Sequence, residues 1–363
     1  MTLPSHGANP HILYEKLGIS MPEQVIDFSE NSYAGGPPDG VKENWLSWLT
    51  AASHYPDPNG VRLKKLIVEK HHVRENQILL GNGAAELMMT VLRLFRNREV
   101  GVIHPAFSEY ERVIMANGAE AVPFYTSQEN GWLPDSTDIH AFLSKPDRAI
   151  FICNPNNPTG VRIPERLLLD WLETAEKSGS TILLDEAFID MAGEEFSLSD
   201  QTGNAALIIF RSMTKMYSLA GLRLGYLLAE EAVIQKVSDW VPHWNVNAIA
   251  LLAGEEVLKD EEYTGKVREE TRAERHRLQQ ALRDMGFQIT QSEANYVLLQ
   301  PPDPDHTENL WRSLLEHGLV LRHTWNYQQL DGQWLRAGIK TAEQNTKLLE
   351  ALSTWVQSSS SEA

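Results

Sequence analysis

The segment 148–185, RAIFICNPNNPTGVRIPERLLLDWLETAEKSGSTILLD, decides the class of fold. Its apolar runs Arg148–Cys153 and Thr181–Asp185 predict two buried strands. Between them, Glu165–Lys177 places apolar residues three and four positions apart, which is typical of a helix with one buried face. Parallel strands need a crossover connection of this kind. The segment therefore predicts one strand–helix–strand unit of a parallel sheet.

The same alternation continues on both sides of this unit. In chain order the other predicted elements are Gln77–Leu80 (strand), Ala84–Phe95 (helix), Val100–His104 (strand), Glu109–Asn117 (helix) and Ala206–Arg211 (strand). Together they predict an α/β fold, in which helices cover a mostly parallel central sheet.

The C-terminal third has a different pattern. Helical periodicity runs from Asn247 to about Asp284, with Gly254 and Gly265 as candidate interruptions. The elements predicted after it are Phe287–Leu299 (strand), Thr307–His317 (helix), Leu319–His323 and Trp334–Ile339 (strands) and Ala342–Val356 (helix). We therefore predict an N-terminal arm (1–40), a large domain (41–250) and a smaller α+β C-terminal domain (251–363). A helical stretch that starts near residue 247 links the two domains.

Size and charge narrow the class of function. A chain of 363 residues suits two packed lobes. Its net charge of −17, without a basic stripe, argues against nucleic-acid partners. No apolar run approaches the ~18 residues of a membrane span. The start shows no secretory pattern and Cys153 is the single cysteine, so we expect a cytoplasmic protein. An anionic substrate would need its own local arginines and lysines.

Lys215 is the first candidate for chemistry. It follows the strand predicted to end at Arg211, in the sequence RSMTK, and this end of an open α/β sheet is where ligands bind. Ser212 lies three residues before Lys215, and Arg223 lies eight residues after it, in GLRLGY. A hydroxyl and a guanidinium could hold a phosphate while the amine does covalent work. A solvated loop lysine is the alternative.

Asp185 closes its predicted strand and begins the sequence DEAFID. A carboxylate at this place is costly to bury without a partner. It could pair with a cationic ring nitrogen, cap a helix or bind a metal. No histidine lies close and no second acidic cluster has ligand spacing, so we predict no metal site.

Two loops follow other predicted strands. In Asn154–Gly160, NPNNPTG, two X-Pro bonds and a glycine predict a rigid turn. In Gly81–Glu86, GNGAAE, small residues would let backbone N–H groups approach an anion at a helix N-terminus. Ordinary turns without a ligand are the alternative for both loops.

These four elements, in this order and spacing, resemble the signature set of fold-type I pyridoxal-phosphate (PLP) enzymes. This aminotransferase family includes histidinol-phosphate aminotransferase, and the resemblance extends from the arm to Arg336. It implies an aspartate-aminotransferase-like fold and PLP as the cofactor. It also implies that Lys215 holds PLP covalently and later moves a proton. Asp185 would pair with the ring nitrogen, which keeps the ring an electron sink, and Asn157 would contact the ring's 3-oxygen and the substrate.

The resemblance assigns further contacts to the cofactor and the substrate. The additional cofactor residues that it implies are Gly83, Ala84, Phe107, Ser212 and Arg223, with Tyr55 reaching in from the second subunit of a homodimer. Phe107 would stack on the ring and the others would hold the phosphate. Arg336, in WLR, would bind the substrate's α-carboxylate, which suits the planar fork of a guanidinium.

Several motifs are more similar to the threonine-phosphate decarboxylases of cobalamin biosynthesis. The arm begins with HGAN (6–9), and DEAFID carries Phe188 where histidinol-phosphate aminotransferases usually have tyrosine. Other similar motifs are WNVNA (244–248), LAGE (252–255), Asn326-Tyr327 and Ala342-x-Gln344-Asn345. The resemblance implies that His6 and Arg322 bind a substrate phosphate and that Asn31 lies near the substrate. It implies decarboxylation of L-threonine O-3-phosphate, a small phosphorylated amino acid, to (R)-1-amino-2-propanol O-2-phosphate.

Three other functions fit parts of the sequence. The nearest is histidinol-phosphate aminotransferase, or a related aminotransferase that uses 2-oxoglutarate. Arg322 suits both substrates, whereas His6 and Phe188 discriminate between them. Ser212-x-x-Lys215 superficially matches acyl-serine hydrolases, but Lys340-Thr-Ala replaces their Lys-Thr-Gly. A PLP-fold regulator would carry an added DNA-binding domain, for which this chain shows no basic face.

Overall fold

The computed structural model describes residues 3–4 and 6–361, with side chains as far as residue 358. The strands are β1 (Ile26–Asp27), β2 (Ile78–Gly81), β3 (Glu99–His104), β4 (Glu120–Tyr125), β5 (Ala149–Cys153), β6 (Thr181–Asp185), β7 (Leu207–Ser212), β8 (Gly225–Ala229), β9 (Gln288–Ile289), β10 (Tyr296–Gln300), β11 (Leu319–Val320), β12 (Arg322–His323) and β13 (Leu335–Gly338). The α-helices are α1 (Pro10–Leu17), α2 (Asp39–Trp48), α3 (Val61–His71), α4 (Ala84–Val91), α5 (Glu109–Ala116), α6 (Ser136–Leu143), α7 (Glu165–Ser178), α8 (Ile189–Ala192), α9 (Glu231–Ser238), α10 (Ala248–Val257), α11 (Glu261–Asp284), α12 (Thr307–Glu316) and α13 (Ala342–Ser361).

Seven strands form the central sheet, in the spatial order β2–β8–β7–β6–β5–β3–β4. Six of them are parallel to one another, and β8 runs antiparallel to both of its neighbours. The predicted mostly parallel sheet is therefore confirmed, although β4 and β8 were not predicted. β4 lies at the edge of the sheet and contains Pro123, which an edge strand tolerates because it lacks one row of partners.

Side chains along the inner strands point alternately to the two faces of the sheet, so the core of the large lobe lies on both faces. In β5, Ile150 and Ile152 pack into one buried cluster, whereas Phe151 and Cys153 pack into the other. Successive side chains of a strand point to opposite faces, so an all-apolar strand needs cover on both sides. This is why β5 reads as a continuous apolar run in the sequence.

The long helical stretch divides at a different place from the one expected. α10 ends at Val257 and α11 begins at Glu261, so Gly254 and Gly265 lie inside helices and the expectation that they interrupt it is wrong. The carboxylate of Asp260 accepts the N–H of Tyr263 at 2.9 Å and thereby caps α11. Gly254 serves packing, since a Cβ there would lie 2.7 Å from Leu224 Cδ2.

The prediction of one strand over Leu319–His323 is also wrong. β11 pairs in parallel with β1, whereas β12 joins the four-stranded sheet β12–β13–β10–β9. The predicted strand Phe287–Leu299 likewise separates into β9 and β10. Through β1, and through Tyr14 and Phe28 in the small lobe's core cluster, the arm packs against the C-terminal lobe. The division into domains stays a prediction.

A buried group of charges joins the carboxyl ends of β6 and β7 to the helices behind them. We call Lys70, Glu186, Asp190, Glu194 and Arg211 the Arg211 cluster. Arg211 is fully buried and bonds Glu186 at 3.3 Å, Asp190 at 3.0 Å and also Glu194. Lys70 bonds Asp190 at 3.0 Å and Glu194 at 2.8 Å. Burial raises the pKa of Glu186 to about 7, although Arg211 opposes the rise.

We expect Arg211→Met to lower the free energy of unfolding by ~3–5 kcal/mol, because it leaves the fully buried carboxylate of Glu186 without its cationic partner. Urea denaturation followed by circular dichroism measures this change. The matched control is Arg312→Met, which removes an exposed pair with Glu308 and should cost no more than ~1 kcal/mol. Equal losses in the two variants would show that the cluster adds no stability.

Candidate active site

A cavity of about 520 Å³ lies at the carboxyl ends of the parallel strands. The predicted site residues that line it are His6, Asn31, Gly83, Ala84, Phe107, Asn157, Asp185, Ser212, Lys215, Arg223, Arg322 and Arg336. They come from the arm, from loops of the large lobe and from strands of the small lobe. The structure thus brings them together, while their individual roles stay predictions.

Asp185 is buried at the end of β6 and holds two hydrogen bonds. Its Oδ2 accepts the hydroxyl of Tyr110 at 2.6 Å, and its Oδ1 accepts the N–H of Ala187 at 3.0 Å. Burial raises the pKa of Asp185, although both hydrogen bonds lower it. A cation beside this carboxylate would be well stabilised, which fits a protonated ring nitrogen.

The sequence did not predict Tyr110 as a site residue, because nothing in the sequence distinguishes it from any other tyrosine in a helix. Its ring stacks on that of Phe151, with the ring centroids 4.6 Å apart.

Lys215 follows β7, and its backbone oxygen accepts the N–H of Tyr33 at 3.0 Å. Burial, together with the charges of Arg336 and Arg223, lowers the pKa of its amine to about 8. Glu30 and Asp185 act in the opposite direction. A much larger share of this amine is therefore neutral at physiological pH than for an ordinary lysine, and the neutral amine is the nucleophile.

The loop before α4 forms a cradle for an anion. Gly83 has φ of +80°, and a Cβ there would lie 2.7 Å from a guanidinium nitrogen of Arg223. A Cβ at Gly225 would lie 2.8 Å from the backbone nitrogen of Ala84, so the backbones of these two segments approach each other closely. The hydroxyls of Ser212 and Thr214 lie 2.8 Å apart on the same cavity. Helix N–H groups, hydroxyls and a guanidinium are a donor set that suits the phosphate of PLP.

Arg336 is buried and held from two sides. Its two terminal nitrogens donate to Asn157 Oδ1 and, at 2.7 Å, to the backbone oxygen of Ser29. Its guanidinium lies over the ring of Tyr296 at 5.2 Å. Within residues 3–4 and 6–361, its Nε has no hydrogen-bond partner. The contact with Arg336 occupies Asn157 Oδ1, so the amide nitrogen of Asn157 is left as the donor for a ligand.

Three more predicted substrate residues line the cavity. Arg322 donates to Asn326 Oδ1 at 2.6 Å and lies 5.2 Å from the ring of Tyr327, which also lines the site but was not predicted there. His6 Nε2 lies 3.1 Å from a carboxylate oxygen of Glu109. Asn31 is 6% exposed, and its Nδ2 has no partner among the described residues. Such a buried donor can be satisfied by a polar ligand.

Phe188 is buried at the start of α8 and contacts the ring of Tyr296 edge-on at 5.1 Å. The hydroxyl of Tyr296 is occupied, since it donates to the backbone oxygen of Asn156 at 2.8 Å. Phe188 therefore presents a hydrocarbon surface to the cavity, and this neighbouring tyrosine does not supply the hydroxyl that Phe188 lacks.

Tyr55 lies outside the cavity of its own chain. Its ring is 82% exposed and packs 4.8 Å from the ring of Trp244. Its contact with the cofactor of a second subunit stays a prediction.

Residues 3–4 and 6–361 contain no group of three or more histidine, cysteine or acidic side chains that could hold a metal ion. Among the helices of these residues, none is both long and apolar enough to span a bilayer. The cytoplasmic location stays a prediction.

Residues 23–352 match the model of the family "Aminotransferase class I and II". The chain belongs to the class I and II aminotransferases, which are PLP-dependent enzymes. It is 35% identical over 352 residues to threonine-phosphate decarboxylase of Salmonella typhimurium, covering 96% of this chain and 95% of that protein.

Two solved structures agree with this family. The histidinol-phosphate aminotransferase of Clostridium acetobutylicum is 30% identical, with a TM-score of 0.86 over 91% of this chain and 99% of that one. Aspartate aminotransferase of Thermus thermophilus shares the fold at 20% identity, with a TM-score of 0.78 over 95% of this chain and 94% of that one. The predicted aspartate-aminotransferase-like fold is confirmed.

The lowered pKa of Lys215 predicts how the cofactor-free protein captures pyridoxal phosphate. The rate of covalent capture should rise with pH along a titration curve whose midpoint lies near 8, and it should level off at higher pH. The reason is that only the neutral amine attacks the aldehyde. Borohydride reduction, followed by mass spectrometry of the labelled peptide, measures the product.

Lys215→Ala is the control variant, and it should show neither labelling at this position nor turnover. A midpoint near 10.4, the value of an unperturbed lysine, would contradict the environment described for Lys215.

Proposed function

We propose that this protein is a PLP-dependent lyase of cobalamin biosynthesis. It would convert L-threonine O-3-phosphate to (R)-1-amino-2-propanol O-2-phosphate and carbon dioxide. The observation that carries the proposal is the placement of Arg322 and Arg336. The two residues are direct cross-strand partners on β12 and β13, both are buried, and both line the cavity. Like charges opposite each other destabilise a sheet, so this pair calls for anionic ligands.

A substrate that carries a phosphate and a carboxylate at once would neutralise both arginines. Arg336, with its free Nε, suits the planar carboxylate, and Arg322 with His6 suits the phosphate. Histidinol phosphate carries the phosphate but no carboxylate. The similarity to threonine-phosphate decarboxylase over nearly the whole chain supports the same choice.

The groups that would hold PLP are Lys215, Asp185, Asn157, Phe107, Ser212, Arg223 and the backbone at Gly83 and Ala84. When bound, PLP supplies a ring that accepts the electron pair released at the substrate's α-carbon. Arg336 would hold the carboxylate in the direction in which the bond between the α-carbon and the carboxyl carbon breaks, so that carbon dioxide leaves. The amine of Lys215 would then return a proton to the α-carbon, so that the product keeps its amino group.

The absence of a hydroxyl at Phe188 supports this choice of reaction. A tyrosine at this place would add a hydrogen bond to the ring's 3-oxygen in an aminotransferase. Because Phe188 has no hydroxyl, Asn157 is the side chain that is proposed to contact the ring's 3-oxygen. The loss of one hydrogen bond changes how the site stabilises charge on the ring.

A product assay tests the proposal. PLP-loaded protein should release carbon dioxide and aminopropanol phosphate from L-threonine O-3-phosphate alone, because no amino acceptor is needed. A second reaction contains histidinol phosphate and 2-oxoglutarate. Glutamate from the second reaction, with the first inert, would establish the aminotransferase instead.

We also propose that the protein is a homodimer whose sites are shared. Support comes from Tyr55, which is largely exposed and packs against Trp244 outside its own cavity, with the two ring planes tilted by 40°. An exposed aromatic pair is typical of a surface that another protein covers. The partner's phosphate site would then receive the hydroxyl of Tyr55.

Mixing two impaired variants tests the shared site. Tyr55→Ala and Lys215→Ala should each be weak or inactive alone. Refolded together they should regain activity, because half of the sites in a mixed dimer combine Lys215 of one chain with Tyr55 of the other. Light scattering should give twice the chain mass. A mixture no more active than its components would show that Tyr55 does not act across an interface.

A further inference from the structure

Glu109 is a carboxylate beside a cavity that is proposed to bind anions. It begins α5, two residues after Phe107, and its side chain is 12% exposed. One of its oxygens, Oε2, accepts two bonds from the guanidinium of Arg112, the Nε contact being 2.7 Å. The other oxygen, Oε1, lies 3.1 Å from His6 Nε2. Each carboxylate oxygen thus has one cationic or polar partner, and Glu109 joins α5 to the arm.

The arm reaches Glu109 from the small lobe through a constrained backbone. The N–H of Ala8 donates to Ser29 Oγ at 2.9 Å, and a Cβ at Gly7 would lie 2.3 Å from the backbone oxygen of Ser29. Ala8 has a φ of +67°, which alanine rarely adopts, and Asn9 has a φ of +58°, which asparagine tolerates. This geometry fixes the direction in which His6 leaves the arm.

A second anchor precedes His6. His323 Nε2 lies 3.1 Å from the backbone oxygen of Pro4. Burial and the charge of Arg322 lower the pKa of His323 to about 3, so its ring is neutral and its Nε2–H is the donor. The arm is therefore tied to the small lobe on both sides of His6, while His6 itself contacts Glu109 of the large lobe. Its ring also lies 5.7 Å from the ring of Phe107.

We propose that Glu109 is a positioning residue for the substrate's phosphate, acting through His6. The proposal rests on the proposed function. Because Glu109 accepts the Nε2 proton, Nδ1 is the ring nitrogen left for the substrate. Glu109 thereby holds the imidazole at the cavity that His6 and Arg322 both line, so that these two residues can bind one phosphate together.

The same contact closes the arm against the large lobe. A substrate phosphate that binds His6 and Arg322 strengthens the link between arm, small lobe and α5. A substrate without a phosphate gains nothing from it. Glu109 thereby adds selectivity for phosphorylated over free amino acids, even though a carboxylate alone would repel a phosphate.

Glu109→Gln tests this role, because it keeps the shape of the side chain and removes the charge. We expect about a tenfold rise in KM for L-threonine O-3-phosphate and a much smaller change in kcat, since an interaction with a charged group is weakened. Calorimetric binding of inorganic phosphate to the PLP-loaded protein should weaken by a similar factor. Binding of L-threonine, measured in the same way, should be unchanged.

The matched control is Glu111→Gln on the same helix. Glu111 contacts His104 and Gln328 but not His6, so both phosphate measurements should be unchanged. His6→Gln is the second variant, and it lies on the arm, where a substitution leaves the core intact. It should reproduce the loss, and the double variant should lose little more, because the two residues act in series.

The outcomes separate this inference from the proposed function. Loss of phosphate binding in both variants, without any decarboxylation by the parent protein, would support the positioning role and sink the decarboxylase proposal. Decarboxylation by the parent, with KM and phosphate binding unaltered in His6→Gln or in a folded Glu109→Gln, would overturn the inference. If Glu109→Gln fails to fold, unaltered phosphate binding in His6→Gln would still overturn the inference, because Glu109 is proposed to act through His6.

Discussion

The buried charge of Arg211 is the constraint on which the site depends. Moving an arginine and its carboxylates out of water costs several kcal/mol per ion, so the Arg211 cluster is tolerable only in one well-paired arrangement. Arg211 directly precedes Ser212, and Glu186 directly follows Asp185, on neighbouring strands with fixed register. Pairing Arg211 with Glu186 therefore fixes the two strand ends that carry the cofactor's proposed contacts. The cluster positions these residues from behind without touching the cavity.

The other half of the site is supplied by the arm and the small lobe. The backbone oxygen of Ser29 accepts from Arg336, and that of Asn31 accepts from Asn295 Nδ2, while Tyr33 N–H donates to the oxygen of Lys215. The segment 29–33 thus joins Arg336, which is proposed to bind the substrate, to the loop that carries Lys215. The residues proposed for the cofactor lie mainly on the large lobe, whereas those proposed for the substrate's anions lie on the arm and the small lobe. The substrate could therefore change within the family while the cofactor site is kept.

Sequence reasoning succeeded where one local signal determined the result. The inner strands were predicted because both of their faces are buried. Lys215 and Asp185 were expected at the ligand-binding edge of the sheet because they lie at or just after the ends of such strands, and both line the cavity. It failed where the structure of a segment depends on a partner distant in sequence. β11 and β12 are separate strands because β1 pairs with β11, whereas β12 pairs with β13. Gly254 looked like a helix breaker, whereas contact with Leu224 requires a small residue there. Tyr110 and Glu109 bind groups 75 and 103 positions away, which no spacing rule reveals.

The opposed arginines explain how one scaffold can serve two reactions. Asp185, Lys215 and the phosphate cradle would be needed in a decarboxylase and in an aminotransferase alike, so they cannot distinguish the two. Which bond at the α-carbon breaks depends on how the substrate's anionic groups are held relative to the ring. Arg322 and Arg336 are fixed against each other by the β12–β13 register, so in the proposed function they would fix the separation of two anions on one substrate. Threonine phosphate carries both of those anions on a single small molecule, so this rigid pair can orient it without a second substrate.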